Sequence, residues 1–542
     1  MGDEQSRARG RPIGHGARWY DLPYRFLSPF HSPRLARRLP TRWRLRIGAA
    51  SGFLFQVHVT RERRRENAPR RFERITVPPA ERVSIPNVWI VEYFTASSVP
   101  QLYRAMRRSG WDGARVGTRP GGARTLLSSR SGQGQTWWRI ATLVPFKAKF
   151  AFIDSQRANL PKDVRAIELL GVSIENGLTA VVANFTLEAS VADRLNGELH
   201  KLHRAALIKR EGRSSVSQGP RFVLYDRVQT ARTALHHELR QWMGSNLPGA
   251  FARSKEVHPL FDLLFFEVAK HWSDDDAQSD KNDAPRACGV EVNSPFNIAS
   301  DQLPGLQLHP PGRTEWAPKI APNTWTLWGN SSAVPDLAVG TEDASVADAG
   351  YFVGEEMTDY FTRTGLTALL DQLRSNASIA YDNARELHGG TSSRDLKRLR
   401  DRTLTTSLDL ARLEEDIETY NNQHWREREP QFHLDYTPAV KKLDAEAGRS
   451  AFERVDLNKS DRDRQKQLAK EIVAFDARYR DVLSTAASLG ASLDARRAQR
   501  LATGVSLVSL GVALVTLWVT QETPPNLASL AGQIFDSLRW PT

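Results

Sequence analysis

The chain has 542 residues, room for two or three folded units at about 150 residues each, and its 40% hydrophobic and 25% charged residues are those of a folded protein. Its one cysteine, Cys288, excludes an intramolecular disulfide and any cysteine-cluster metal site. The net charge of +13 is concentrated at one end: residues 1–74 hold 18 Arg, no Lys and 6 acidic residues, a net +12, while the remainder is close to neutral.

The basic 1–74 arm has no apolar core of the kind a secretory signal needs. Arginine clusters such as Arg61 with Arg63–Arg65 are attracted to polyanions, so anionic lipid or nucleic acid is the partner expected of it, with a solvated tail as the alternative. Within the arm, Phe53, Phe55, Val57 and Val59 alternate with other residues and predict a half-buried strand.

From 75 to 272 the pattern mixes strand and helix and predicts an α+β domain, an antiparallel or mixed sheet with packed helices. VWIVEYF at Val88–Phe94 reads as a strand leading into the helical PQLYRAMRRSGW, and WWRIATLVPF and KFAFI as further strands. Asn176-Gly177 lies between two β-type runs and predicts a hairpin whose second strand lines one face with Thr179, Val181, Ala183, Phe185 and Leu187. Ser190 and Asp226 are candidate N-caps of the two helices that follow.

Residues 273–345 are acidic, then rich in Pro, Gly and Trp, and read as a linker region in which Trp316, Trp325 and Trp328 pin an irregular segment to a domain. A helical segment, 346–430, contains a 3-4 spaced seam of Leu396, Leu399, Thr403, Thr406, Leu410, Leu413, Ile417 and Tyr420. A stricter seam of Leu468, Ile472, Phe475, Tyr479, Val482, Ala486, Leu489 and Leu493 predicts a coiled-coil stalk helix over 437–500, and with it a homo-oligomer or an antiparallel hairpin.

The stalk runs without a helix breaker into Leu501–Thr520, an uncharged stretch that spans roughly 30 Å of hydrocarbon at about 1.5 Å per residue and predicts a transmembrane helix. Arg496, Arg497 and Arg500 precede it, which places the body on the cytoplasmic side of a plasma (inner) membrane and the short tail outside. Ala502, Ser506, Ser509, Ala513 and Thr516, continued by Thr520, form a stripe of small residues suited to close helix packing. Beyond Pro524-Pro525, residues 521–542 read as a short amphipathic tail with Leu527, Leu530, Ile534, Phe535 and Leu538 on one face.

No catalytic constellation or cofactor motif is recognisable. The glycines at 117–122 and 131–135 lack the Lys-Ser/Thr ending of a phosphate loop, and His237-Glu238 lacks the second histidine of a zinc-protease motif, Gln241 standing in its place. His200 and His203 share a helix face and read as polar surface, Cys288 as an inert thiol, and Asp274–Asp276 with Asp280 and Asp283 as a solvated acidic loop.

The segment Arg478–Val519 resembles the stalk-to-first-membrane-helix junction of CorA-type divalent-cation transporters. That resemblance implies a cytosolic α/β domain, a helical hairpin and a stalk helix continuing into the membrane within an oligomeric ring. Gln521-Glu522-Thr523 stands where the family carries Gly-Met-Asn, and no second span follows, so no pore residue carries over. The expected function is thus a membrane-anchored, cytosol-facing protein that oligomerises through its stalk, in a scaffold, tethering or signal-relay role. The alternatives are a CorA-like cation channel and a membrane-tethered enzyme or ligand sensor with its site in 75–272.

Overall fold

The computed structural model describes residues 12–32, 35, 39–65, 73–111, 122–130, 137–148, 155–209, 215–271, 282–291, 294–312, 317–338, 344–387, 407–422, 429–448, 450 and 453–520, with the backbone alone at 209, 380–387, 439, 482–483, 485–498 and 517–520. The chain divides into two compact units, residues 1–374 with 409–472, and 375–408 with 473–542.

The first unit is an α+β body around one twelve-stranded mixed sheet. Its strands are β1 (Val83–Ser84), β2 (Asn87–Thr95), β3 (Trp137–Pro145), β4 (Ser155–Ala158), β5 (Val164–Ile174), β6 (Leu178–Leu187), β9 (Leu260–Phe266), β10 (Phe296–Ser300), β11 (Leu306–His309), β12 (Thr324–Asn330), β13 (Phe432–Tyr436) and β14 (Val455–Asp456). The order is β14-β13-β10-β11-β12-β9-β2-β6-β5-β3-β4, with β1 also pairing β9. All pairs are antiparallel except β12 with β9 and β3 with β4. A separate hairpin joins β7 (Ala206–Lys209) to β8 (Ser215–Gln218).

The described helices are α1 (Asp21–Leu27), α2 (Thr41–Arg65), α3 (Val99–Arg108), α4 (Gly122–Arg130), α5 (Ala189–Leu199), α6 (Pro220–Asn246), α7 (Ala250–Ser254), α8 (Ala284–Ala287), α9 (Val334–Leu337), α10 (Val346–Leu387), α11 (Leu413–Asn421), α12 (Pro438–Glu446) and α13 (Leu457–Thr520). A further turn of helix lies at 407–410.

Both faces of the central strands are covered, and the sequence explains why. In β2 every residue but the last is buried, so the two-residue period sends Val88, Ile90 and Phe94 into one core and Trp89, Val91 and Tyr93 into the other. The first core is closed by α3, α4, α5 and α6 through Leu102, Leu126, Leu195 and Leu239. The second is closed by α10, α11 and the start of α13 through Phe361, Ile417 and Ile472. Burial of each such side chain stabilises by about 1.5–3 kcal/mol.

Several expectations change. Phe53–Val59 is not a strand but part of α2, because the groups that turn inward are Ser51, Leu54 and His58 at helical spacing, leaving Phe53 and Phe55 exposed. The sheet does not stop at 272: β10, β11 and β12 come from the stretch read as linker, and β13 and β14 from beyond 430. Trp325 and Trp328 therefore lie on a strand, Trp325 stacked on Phe261 with ring centroids 4.9 Å apart, while Trp316 lies outside the described residues. KFAFI lies outside the described residues. The Asn176-Gly177 hairpin is present, joining β5 to β6 with Ile174 opposite Leu178. Its loop has three residues, Glu175 takes the positive φ of 47°, and Gly177 is needed for close approach instead: a Cβ there would lie 2.0 Å from Asp416 Oδ2. Neither proposed cap acts as one. Ser190 sits one residue inside α5 and donates to Asp163 Oδ1, and Asp226 lies inside α6, which starts at Pro220.

Candidate membrane anchor and the charged groups of the core

Helix α13 begins where Asp456 Oδ1 accepts from the backbone N–H of Lys459 at 3.0 Å, an N-cap, and no proline interrupts the chain as far as Thr520. Its first turns bury Gln465, Leu468, Ala469 and Ile472 in the body. Further along, Phe475 is half-buried and Tyr479 buried, while the side chains of Val482, Ala486, Leu489 and Leu493 lie outside the described residues. Of the earlier seam, Leu396, Leu399, Thr403 and Thr406 also lie outside. Leu410, Leu413, Ile417 and Tyr420 face the sheet's second core and belong to separate short helices, because the chain turns at 411–412.

Within α13, Gln499–Thr516 is the one stretch among the described residues long and apolar enough to cross a membrane. Every position from 501 to 516 is exposed, Leu501 at 71% and Val508 at 68%, so the helix presents apolar surface on all sides and buries no stripe. Three of its hydroxyls are satisfied within the helix. Thr503 Oγ1 donates to Gln499 O at 2.7 Å, Ser506 Oγ to Ala502 O at 2.9 Å and Thr516 Oγ1 to Val512 O at 2.8 Å. Ala502, Ser506, Ser509, Ala513 and Thr516 are all exposed and share one helix face. Arg500 is exposed at the start of this stretch; the side chains of Arg496, Arg497 and Thr520, and the whole 521–542 tail, lie outside the described residues.

The body contains charged groups that sequence reasoning missed. Asp262 of β9 is fully buried and accepts from Arg232 Nε at 2.7 Å, Arg232 Nη2 at 2.6 Å and His236 Nε2 at 3.0 Å. Arg232 also donates to the carbonyl of Cys288 and to Thr326 Oγ1. Two turns on from Arg232, Arg240 donates to His258 O at 3.0 Å and to Thr324 Oγ1 at 3.0 Å. Arg232, His236 and Arg240 recur every four residues, so one face of α6 carries all three. Glu92 of β2 takes the backbone N–H groups of Phe251 and Ala252 at 2.9 and 3.0 Å, and His258 Nε2 at 2.9 Å. On the other face, Arg363 of α10 donates from Nε to both oxygens of Glu429 at 2.8 and 2.9 Å.

Burial dominates the electrostatics. It pushes the Cys288 thiol up to about 12, the Arg240 guanidinium down to about 9 and the His236 imidazole down to about 4, the last against its hydrogen bond to Asp262. Burial alone would raise the Asp262 carboxyl too, but the Arg232 charge and the His236 hydrogen bond hold it well below the usual carboxylate range. These groups are closed off from solvent and hydrogen-bond one another, although His236 Nδ1 and Arg363 Nη2 find no partner, and the bonds of Arg232, His236, Arg240 and Glu92 fasten α6 and α7 to β9, β12 and β2. A readable signal existed for them: one carboxylate inside an otherwise apolar run, Asp262 in LFDLLFF and Glu92 in VWIVEYF, needs a buried partner when the strand is covered on both faces.

The other residues singled out by sequence are occupied locally. His200 Nε2 lies 2.8 Å from Glu81 O, His203 Nε2 2.7 Å from Glu198 O, and Glu238 Oε1 accepts from Lys162 N at 2.9 Å. Asp283 is not solvated but buried, accepting from Thr76 N at 2.8 Å and Arg221 Nε at 2.7 Å; Asp274–Asp276 and Asp280 lie outside the described residues. Among the described residues no three of His, Cys, Asp and Glu converge as a metal set. The chain matches no protein-family model, no curated protein and no solved structure.

Proposed function

We propose that this is a single-pass membrane protein whose α+β body faces the cytoplasm and which oligomerises through its C-terminal helix, acting as a scaffold, a tether or a relay of signals at the membrane surface. One observation supports the reading above the rest: a single helix, α13, is anchored in the body at Leu468 and Ile472 and carries an apolar segment with every described side chain exposed at Gln499–Thr516. An aqueous protein does not leave so many apolar groups in water, whereas a bilayer core needs a helix of this length with its polar groups satisfied internally. The arginines at 496, 497 and 500 favour the cytoplasmic side for the body and a plasma (inner) membrane as its place. The exposed stripe from Ala502 to Thr516 favours association between copies in the bilayer, with the seam above it as a coiled-coil stalk.

The test is alkaline carbonate extraction of membranes carrying the full chain and a chain lacking 501–542, with the mass in detergent measured alongside. The full chain should resist extraction and run as an oligomer, and the shortened chain should do neither. Release of the full chain by carbonate would sink the reading. A ring of about five subunits would move the CorA-like alternative forward and call for ion-flux assays.

A further inference from the structure

The first turns of α13 are held in the body by polar groups before its apolar ones take over. Asn458, Asp461 and Gln465 recur at three- and four-residue spacing and share one face of the helix, turned toward α10 and the start of β13. Asn458 and Gln465 are fully buried amides, and each is bonded to main chain. Asn458 Oδ1 accepts from Phe432 N at 2.8 Å, and its Nδ2 donates to Pro430 O at 3.0 Å. Gln465 Nε2 donates to Arg363 O at 2.8 Å and to Thr367 Oγ1 at 2.9 Å.

Asp461, between them, is different. It is half-buried and carries a charge where its two neighbours on that face carry none. The cation it meets inside is Arg363, which is already engaged: Glu429 takes Nε with both oxygens at 2.8 and 2.9 Å, and Asn421 Oδ1 takes Nη1 at 2.6 Å. Arg363 Nη2 is left without a partner, yet Asp461 makes no hydrogen bond to it, and the two act on each other through charge alone. Arg464, on the same helix, is exposed and donates to Asp371 at 2.6 Å. Two carboxylates thus face one buried guanidinium, with the Tyr360 hydroxyl also within reach of both their charges.

A carboxyl so placed is easier to bury neutral than charged. Burial raises Asp461 to about 6, Glu429 adding to the rise while Arg363 and Arg464 oppose it. A helix start lifted away from the body returns Asp461 to water and to the ordinary carboxylate value of about 3.9. The seated helix therefore binds a proton that the lifted one releases. Seating is strongest below about pH 4 and weakens as pH rises through about 6.

We infer that Asp461 is a proton-operated latch at the root of α13: neutral, it lets the first turns sit between α10 and β13, and ionised, it draws them toward water. The latch concerns residues 457–472 and belongs to the body. Its use as a relay rests on the reading of α13 as the membrane helix, because only then does a lifted root act on something at the bilayer.

Hydrogen–deuterium exchange of the full chain in detergent reads the latch from the amides of 465–472, corrected for their intrinsic rates, with the amides of β9 as the check that the body is folded. Between pH 7.5 and 5 the protection of 465–472 should rise about tenfold in the parent chain. Asp461→Asn should show the higher protection already at pH 7.5 and hold it level on acidification. Asp463→Asn, which removes an exposed acid in the same turn, should behave as the parent does. Faster exchange of 465–472 in Asp461→Asn would overturn the latch and make the carboxylate a needed partner of Arg363. An unchanged rate at pH 7.5, a parent protection that stays level or falls with acid, the same effect from Asp463→Asn, or loss of β9 protection in Asp461→Asn would overturn it too. Carbonate extraction reads the membrane helix separately, so failure of the anchor is not confused with failure of the latch.

Discussion

Arg232 grips Asp262 through two hydrogen bonds, Nε to Oδ2 at 2.7 Å and Nη2 to Oδ1 at 2.6 Å, with neither side chain more than 1% exposed. Removing one partner leaves the other charged in an apolar interior. Asp262→Asn should lower stability by about 3–5 kcal/mol, read from the denaturant midpoint, and Arg232→Met placed on top should recover part of it. The Arg363–Glu429 pair on the opposite face shares no partner with this one, so Glu429→Gln should add to Asp262→Asn within about 0.5 kcal/mol. A larger departure would show that the two cores are coupled through the sheet.

Protonation of its buried histidines should destabilise the body in acid. His236 is held to about 4 by burial, with Nδ1 lacking a hydrogen-bond partner, and burial also lowers His271 and His309 to about 4. Between the ordinary histidine value near 6.5 and about 4, the unfolded chain binds protons that the folded one refuses. Stability is therefore fully present above about pH 6.5 and falls as pH drops, by at most about 1.4 kcal/mol per pH unit for each histidine. Urea midpoints at pH 7.5, 6 and 5 check this, and a His309→Gln chain should show a shallower fall. A His309→Gln chain whose profile matches that of the parent would contradict a neutral imidazole at 309.

Asp416 runs the other way. Burial raises its carboxyl to about 6, and its Oδ2 occupies the space beside Gly177. Gly177→Ala should cost about 1–3 kcal/mol by forcing that contact apart. Asp416→Asn removes the buried charge and should be neutral or stabilising at pH 7.5, with the gain shrinking as pH falls toward 4, where the carboxyl is protonated in the folded chain. A loss of stability in Asp416→Asn at pH 7.5 would mean that the charge is needed.

Bulk in the small-residue stripe should separate insertion from association. Ser509→Leu with Ala513→Leu keeps the helix apolar, so carbonate resistance should persist while the oligomer in detergent weakens by about tenfold, the effect of roughly 1–2 kcal/mol. Leu507→Ala with Leu510→Ala, on the neighbouring face, should leave the mass unchanged. The reverse pattern would place the contact on the leucine side.

Cys288 should resist alkylation in the folded chain, since it is inaccessible and its thiol lies at about 12. Its labelling rate at pH 7.5 should follow denaturant unfolding, which gives a direct readout of the first core. Fast labelling without denaturant would refute the burial.

What the sequence made legible was whatever a short window encodes. VWIVEYF, the hairpin around Asn176 and the helices near 99, 189 and 220 are local patterns, and they stand in the structure as β2, β5–β6, α3, α5 and α6. What stayed hidden depends on distance along the chain. The pairing of Phe296 with Tyr436, which carries the sheet past 430, has no local trace, and LFDLLFF declares its ion pair only once Arg232 is brought alongside Asp262. The helix over 41–65 was hidden differently: Phe53, Phe55, Val57 and Val59 mimic a strand's period, while the packed positions 51, 54 and 58 are too few and too mixed to announce a helix.

The position of β10 has a consequence for biogenesis. Ribosomes deliver the chain from the N-terminus, so β10 and β11 emerge with β12 and join the sheet while one edge of β10 still waits for β13, encoded after α10 and α11. Until then a nascent chain displays an unpaired strand edge, the feature through which immature sheets recruit one another. The last strand, β14, is followed directly by the helix that carries the apolar segment. Closure of that edge must therefore be quick relative to translation, or a chaperone must hold the nascent body, before the greasiest part of the polypeptide arrives.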